Sequence, residues 1–200
     1  MRVDRGTPRG RLNKAVLLDR DGTLIKECHY LADPERVELE GRVVPALLAL
    51  QQAGFLLIVI TNQAGIGRGL ITHAQFRAVQ ERLFSELRSS GITFTDAYYC
   101  PHHPTEAKGE YLQDCECRKP KPGMLEAAIA DHDIDPQRSF MVGDKLADVQ
   151  AGQRAKMRGV LVRTGYGAEH ARETGEVEPD FVAGDVHDAV MNFILPAEGA

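Results

Sequence analysis

The sequence predicts an α/β protein built on one doubly wound, parallel sheet. Three observations carry this expectation. Short apolar runs rich in branched residues recur along the chain, as at 15–18, 55–60 and 139–142. The segments between them place apolar residues at the three- and four-residue spacing of a helix. Each apolar run then gives way to polar or glycine-containing sequence, so charged side chains gather where strands end. Strands alternating with helices mean a parallel sheet with helices on both faces.

Taken in order, residues 1–14 are polar and Arg-rich and read as a flexible N-terminal arm, and one domain spans 15–195. Ala15 to Leu18 make the first strand, which runs into Asp19, Arg20, Asp21, Gly22 and Thr23. Val43, Val44, Leu47 and Leu50 give a helix over 43–53, stopped by Gly54. The second strand, 55–60, leads into Thr61, Asn62 and Gln63. Thr72 is placed to cap the next helix, whose core face is Phe76, Val79, Leu83 and Leu87. A third strand covers 96–100. Residues 101–122 carry Pro, His, Cys and charge without a hydrophobic period, and so long a loop in a compact domain points to function. A helix over 123–131 precedes the strand 139–142, which ends in Gly143 and Asp144. A helix over 147–155, a strand at 160–162, a short strand at 181–182 and a helix over 187–195 complete the chain.

Two hundred residues suit a single domain with a sizeable core, and 43% hydrophobic with 26% charged residues is the balance of a soluble globular protein. A net charge of -5 offers no broad basic surface, which argues against nucleic acid or an anionic membrane as partner. No apolar run has the length of a membrane span, and the first residues lack the apolar segment of a secretory signal. The expectation is a cytoplasmic monomer. Its four cysteines then favour metal binding or free thiols over disulfides.

Three strand ends and one loop carry the candidate chemistry. The first strand gives Asp19 and Asp21, the second Thr61 and Asn62, and the fourth Asp144 with Asp148 one helical turn later. Arg118 and Lys119 stand just before the third crossover helix. Open α/β sheets bind ligands outside the carboxyl ends of their strands. Carboxylates crowded there repel one another unless a divalent cation sits among them, and Mg²⁺ is the all-oxygen cation that accompanies phosphate chemistry. Lys119 is then suited to neutralise phosphoryl oxygens. In the aperiodic loop, Cys100 and His102 are followed by Cys115 and Cys117. Four such donors suit tetrahedral Zn²⁺, and a closed four-ligand site is structural rather than catalytic. His103 is the alternative fourth ligand.

D-x-D-G-T at 19–23, Thr61, Lys119 and G-D-x-x-x-D at 143–148 together resemble, in order, the four motifs of the haloacid dehalogenase superfamily of phosphatases. C-P-H-H-P and C-x-C-R-K-P, with T-N-Q-A-G-I-G-R-G and M-V-G-D-K, resemble its zinc-loop branch, which lacks a large cap. The resemblance implies a capless Rossmann-like phosphatase domain with a zinc loop at 100–117. It implies that Asp19 is the nucleophile, forming an aspartyl-phosphate, and that Asp21 protonates the leaving alkoxide and then activates water. Mg²⁺ would be held by Asp19, Asp144 and the main-chain carbonyl of Asp21, and Thr61 and the Asn62 amide would hold phosphoryl oxygens. Asp148 would orient Lys145 or a metal-bound water. Substrate contacts would fall on Glu27, Cys28, His29, Tyr30, Asn62, Gln63, Ala64, Arg118 and Lys145. The implied substrate is a small phosphorylated sugar, a heptose 1,7-bisphosphate that loses its C7 phosphate, with histidinol phosphate as the alternative.

Overall fold

The structure is a computed structural model that describes residues 12–173 and 175–198, so most of the expected N-terminal arm lies outside the described residues. At its border, Asn13 is already tied down: its N–H donates to the Asp133 carbonyl at 2.8 Å, and its own carbonyl accepts from Asp135 at 2.7 Å.

Six parallel strands form one sheet, and the expected strand–helix alternation is met. In chain order the elements are β1 (Ala15–Leu18), α1 (Val43–Gln52), β2 (Leu56–Asn62), α2 (Ala64–Arg68), α3 (His73–Ser89) and β3 (Asp96–Cys100). There follow α4 (Gly123–Asp131), β4 (Phe140–Gly143), α5 (Leu146–Arg154), β5 (Arg158–Val162), α6 (Gly167–His170), β6 (Phe181–Ala183) and α7 (Val186–Ala189). The strand order is β3-β2-β1-β4-β5-β6. The chain therefore winds outward from β1 in one direction, then returns to β1's other side at β4. That reversal opens a crevice at the carboxyl ends of β1 and β4, where such sheets bind ligands.

Period-two alternation splits the core into two layers. Val16, Leu18, Leu57, Val59, Phe140 and Val142 face one side, against Leu47 and Leu50 of α1, Val79 and Leu83 of α3, and Val186 and Ala189 of α7. Ala15, Leu17, Ile58, Ile60 and Met141 face the other, against Met124, Leu125 and Ala128 of α4 and Ala151 of α5. A strand buried on both faces must be apolar throughout, which is why β1 and the centre of β2 read as unbroken apolar runs. Thr72 caps α3 as expected, and Gln75 completes a capping box with it.

Several boundaries shift by one or two residues, as in β5, which begins at Arg158 where 160 was expected, and three departures stand out. β2 runs on through Thr61 and Asn62, because their ladder with β3 continues to the Asn62–Cys100 pair. The expected closing helix is a four-residue α-helix followed by a π-helical stretch, Val190–Ile194. That stretch carries Phe193, which stacks on Phe181 with ring centroids 4.9 Å apart. The two short helices α2 and α6 were not legible, since four or five residues are too few to show a helical period. Among the described residues no helix is long and apolar enough to cross a membrane.

Candidate active site

The β1–β4 pairing carries the first acid into the crevice. The Asp19 N–H donates to the Val142 carbonyl at 2.9 Å, continuing the ladder one residue past β1. Asp144 follows the last residue of β4. Lys119 reaches the same point from the loop before α4. Its ammonium, almost wholly buried, donates to Asp19 Oδ1 at 2.8 Å and to the Ile60 carbonyl at 2.7 Å, and pairs with Asp148 Oδ1 at 2.6 Å. Burial alone would lower its pKa, but the Asp148 and Asp19 carboxylates outweigh burial and raise it. Asn62 clamps the Lys119 main chain: its side-chain N–H donates to the Lys119 carbonyl at 3.0 Å, and its side-chain oxygen accepts from the Lys119 N–H at 3.1 Å. Asp148 thus braces Lys119, and its carboxylate also accepts from the Lys145 main-chain N–H at 3.0 Å.

Asp19, Asp144 and Asp148 bring carboxylate oxygens within 4.8 Å of one another, a grouping that could hold a metal ion. Asp144 has no solvent exposure. Its Oδ2 accepts from the Tyr166 N–H at 2.9 Å, while its Oδ1 has no hydrogen-bond partner. Burial, then the neighbouring Asp19, push its carboxyl up to about 8. The Lys145 ammonium stands 4.0 Å from Oδ1, beyond hydrogen-bond distance, so that oxygen stays unpaired among the Asp19 and Asp148 charges unless a further cation fills the space. Two glycines make room for the Asp144 carboxylate itself. A Cβ on Gly22 or on Gly165 would lie 2.3 Å from Asp144 Oδ2, and both have positive φ, +80° and +53°. The donor set is all oxygen, which fits a hard divalent cation. The Asp21 carboxylate is not part of this group. It is turned to Arg20 and to Gln63, whose amide N–H donates to Asp21 Oδ2 at 2.8 Å and to Thr61 Oγ1 at 2.9 Å.

A cleft of about 350 Å³ opens over these groups. Glu27, His29, Tyr30, Thr61, Asn62, Gln63, Ala64, Arg118 and Lys145 line it, as the sequence led us to expect. Cys28 is the exception: it packs partly buried against the core, because a chain that turns His29 and Tyr30 to the cleft turns their neighbour inward. Further lining residues were missed, among them Arg20, Arg68 and Tyr166. Arg68 stood in the quoted glycine-rich motif, but only its fold onto Tyr30 and Glu106 reveals it as a wall. Tyr166 bonds His29 through its hydroxyl at 3.1 Å and lies under the Lys145 ammonium, 4.7 Å from the ring centroid. The cleft is positive away from the acids. Burial, and then Arg118 and Arg68, hold His103 below its ordinary pKa.

Beside the cleft, Cys100 Sγ, His102 Nδ1, Cys115 Sγ and Cys117 Sγ form a second group that could hold a metal ion. The Cys117 sulfur lies 3.1 Å from those of Cys100 and Cys115 and 3.3 Å from the His102 nitrogen. Three thiols and one imidazole nitrogen in a closed set suit a tetrahedral soft or borderline ion. His103 is turned away, its Nδ1 accepting from the Glu106 N–H at 3.1 Å, so the open choice of fourth ligand falls to His102. Arg118 leans on this group through the His102 carbonyl, 3.2 Å from its guanidinium.

Fold, acids and lysine together define a phosphoester hydrolase of the haloacid dehalogenase type, and residues 116–189 match the HAD-hydrolase-like family. The relatives are more specific. A D-glycero-beta-D-manno-heptose-1,7-bisphosphate 7-phosphatase of Pasteurella multocida is 44% identical over 178 residues, covering 88% of this chain and 95% of that protein. A D-glycero-D-manno-heptose-1,7-bisphosphate 7-phosphatase of Chlorobaculum tepidum is 40% identical over 188 residues, covering 91% and 94%. Among solved structures, a D,D-heptose 1,7-bisphosphate phosphatase from B. bronchiseptica, complexed with magnesium and phosphate, superposes with a TM-score of 0.82 at 29% identity, covering 92% of this chain and 99% of that one. The chain belongs to the heptose-1,7-bisphosphate phosphatase family.

The glycine cradle yields a test. Gly22→Ala adds a methyl group where Asp144 Oδ2 lies and forces a side chain into positive φ. Displacing the carboxylate by even an ångström is expected to lower kcat by about 10²-fold, with the circular dichroism spectrum retained. Steady-state phosphate release checks this.

Proposed function

We propose that this chain is a Mg²⁺-dependent phosphatase that removes the C7 phosphate of D-glycero-D-manno-heptose 1,7-bisphosphate through an aspartyl-phosphate, leaving the 1-phosphate. The carrying observation is one carboxylate, Asp19, aligned by a buried Lys119 ammonium beside the orphaned Asp144 oxygen. Asp19 and Asp144, with the main-chain carbonyl of Asp21, would hold Mg²⁺, which when bound offsets the charge of the phosphoryl group and of Asp19. Asp19 then attacks phosphorus. Its new O–P bond forms as the ester O–P bond breaks, and Asp21 gives the leaving alkoxide a proton. In the second step Asp21 takes a proton from water, whose oxygen bonds to phosphorus as the Asp19 O–P bond breaks, releasing inorganic phosphate and restoring the Asp19 carboxylate. The Thr61 hydroxyl, fixed by Gln63, and the Lys119 ammonium serve the phosphoryl oxygens.

Choice of phosphate follows from position rather than reactivity. A C1 phosphate leaves more easily than the primary C7 ester, so removal of C7 requires the rest of the substrate to be held in one direction. Arg118 is suited to that task. It is partly buried in the cleft wall, its recorded partner is a carbonyl rather than a carboxylate, and a guanidinium can grip a phosphate bidentately. The Cys100, His102, Cys115 and Cys117 group would hold Zn²⁺ as a structural ion, pinning the loop that presents Arg118 and Lys119.

Four outcomes are expected. Asp19→Asn abolishes Mg²⁺-dependent turnover while the fold persists; substantial residual turnover in clean protein would exclude Asp19 as the nucleophile. Dialysed protein contains about one zinc per chain, and Cys117→Ser loses both the metal and most of the activity; a zinc-free, fully active protein would overturn the assignment. In a substrate panel that includes histidinol phosphate, phosphorus NMR shows heptose 1-phosphate as the product. Arg118→Ala weakens preference for the bisphosphate over monophosphates more than it slows a small generic ester. A heptose 7-phosphate product refutes the assignment of the cleaved bond.

A further inference from the structure

We propose that Arg20 is a positioning residue for Asp21. It fixes the acid's carboxylate so that one oxygen is locked and the other is offered to the leaving group. This inference rests on the reading of Asp21 as the acid and base of a phosphatase. Arg20 is one of the largest fully buried side chains described, with 1% of its surface exposed. Its Nε donates to Asp21 Oδ2 at 3.1 Å, and its Nη2 reaches Oδ2 at 2.9 Å and Oδ1 at 3.0 Å. Its carbon lies 5.4 Å from the ring centroid of Phe76 in α3, so an aromatic face backs the guanidinium. Its Nη1 has no hydrogen-bond partner.

Stability does not explain this arrangement. Removing a guanidinium from water is costly, and buried ion pairs commonly repay no more than that cost. This pair also joins adjacent residues, so it ties no two elements of the fold together. What it does is restrict Asp21. Oδ2 receives Arg20 Nε, Arg20 Nη2 and the Gln63 amide, the last of which also holds Thr61. Oδ1 receives Arg20 Nη2 alone, and the Asp21 side chain keeps 19% of its surface exposed at the cleft. Oδ1 is therefore the oxygen with lone pairs to spare on the open side. In the first half-reaction the Oδ1–H bond breaks as the alkoxide O–H bond forms, and the Asp21 carboxylate left behind is caught in the Arg20 fork. In the second, the same oxygen takes the proton of water.

A group that acts through the acid leaves a signature in leaving-group dependence. The test is kcat/KM for the wild-type chain and for Arg20→Lys, Arg20→Met and Phe76→Leu. The substrates are phosphate monoesters running from p-nitrophenyl phosphate, whose leaving group needs no proton, to primary alkyl phosphates, whose leaving group does. Arg20→Met is expected to lose about 10²-fold on the alkyl esters and far less on p-nitrophenyl phosphate. Arg20→Lys recovers part of the alkyl rate, and Phe76→Leu shows a smaller loss in the same direction. Zinc content and melting temperature report whether each variant folds. A uniform loss across the ester series, or a loss in Arg20→Lys as large as in Arg20→Met, overturns the positioning role while leaving the phosphatase reading intact. Absence of turnover by the wild-type chain on every ester overturns that reading and this inference with it.

Discussion

Lys119 carries a positive charge into the interior and finds a carboxylate on either side of it. Asp19 and Asp148 lie within 3 Å of its ammonium, and the Ile60 carbonyl supplies a third acceptor. An ammonium buried this deeply is tolerated only when its donors are satisfied and its charge is opposed. Each partner comes from a different strand or crossover: Asp19 from the end of β1, Ile60 from within β2, Asp148 from the first turn of α5. The site can form only when β1, β2 and the β4–α5 crossover are in register, so its charge balance and the sheet order depend on each other.

The same requirement explains the loop that delivers the lysine. Residues between β3 and α4 have no apolar period to hold them, yet they must place one ammonium to within a few tenths of an ångström. Two clamps do this. Asn62 grips the Lys119 main chain through both its amide atoms, the pattern of a strand rung made by a side chain. Three cysteines and His102 gather the two ends of the loop, because Cys100 closes β3 while Cys115 and Cys117 lie just ahead of Arg118. With little core of its own, such a loop is held by polar and sulfur contacts.

What the sequence made legible follows from the range of each signal. Strands buried on both faces announce themselves as apolar runs, so the sheet could be read directly, and motif spacing singled out Asp19, Asp144, Lys119 and the group of Cys100, His102, Cys115 and Cys117. Contacts between distant or locally unusual side chains were not legible. Nothing in D-R-D distinguishes an arginine turned to solvent from one sealed beneath Phe76, and base rates favour solvent. Asp148 was expected to orient Lys145 or a metal-bound water, and its pairing with the Lys119 ammonium needed the fold. Cys28 was placed in the cleft with its neighbours, but a chain that kinks at the next two residues cannot send three consecutive side chains to one side.

That kink bears on how a capless enzyme selects its substrate. His29 and Tyr30 both adopt left-handed backbone angles, with φ of 34° and 52°, and neither is glycine. Each such residue costs on the order of 1 kcal/mol, so the surroundings must hold the turn in place. They do so at both residues: the Tyr166 hydroxyl meets the His29 ring, and Arg68 meets the Tyr30 hydroxyl. The turn is therefore braced by α2 on one side and by the segment after β5 on the other. Glu27, in the same stretch, lies 3.7 Å from Lys145. A cleft walled in this way takes its shape from short loops held by side-chain contacts. The groups bracing the turn are themselves cleft residues, so the shape of the cleft and the geometry that restrains the loop are set by the same contacts.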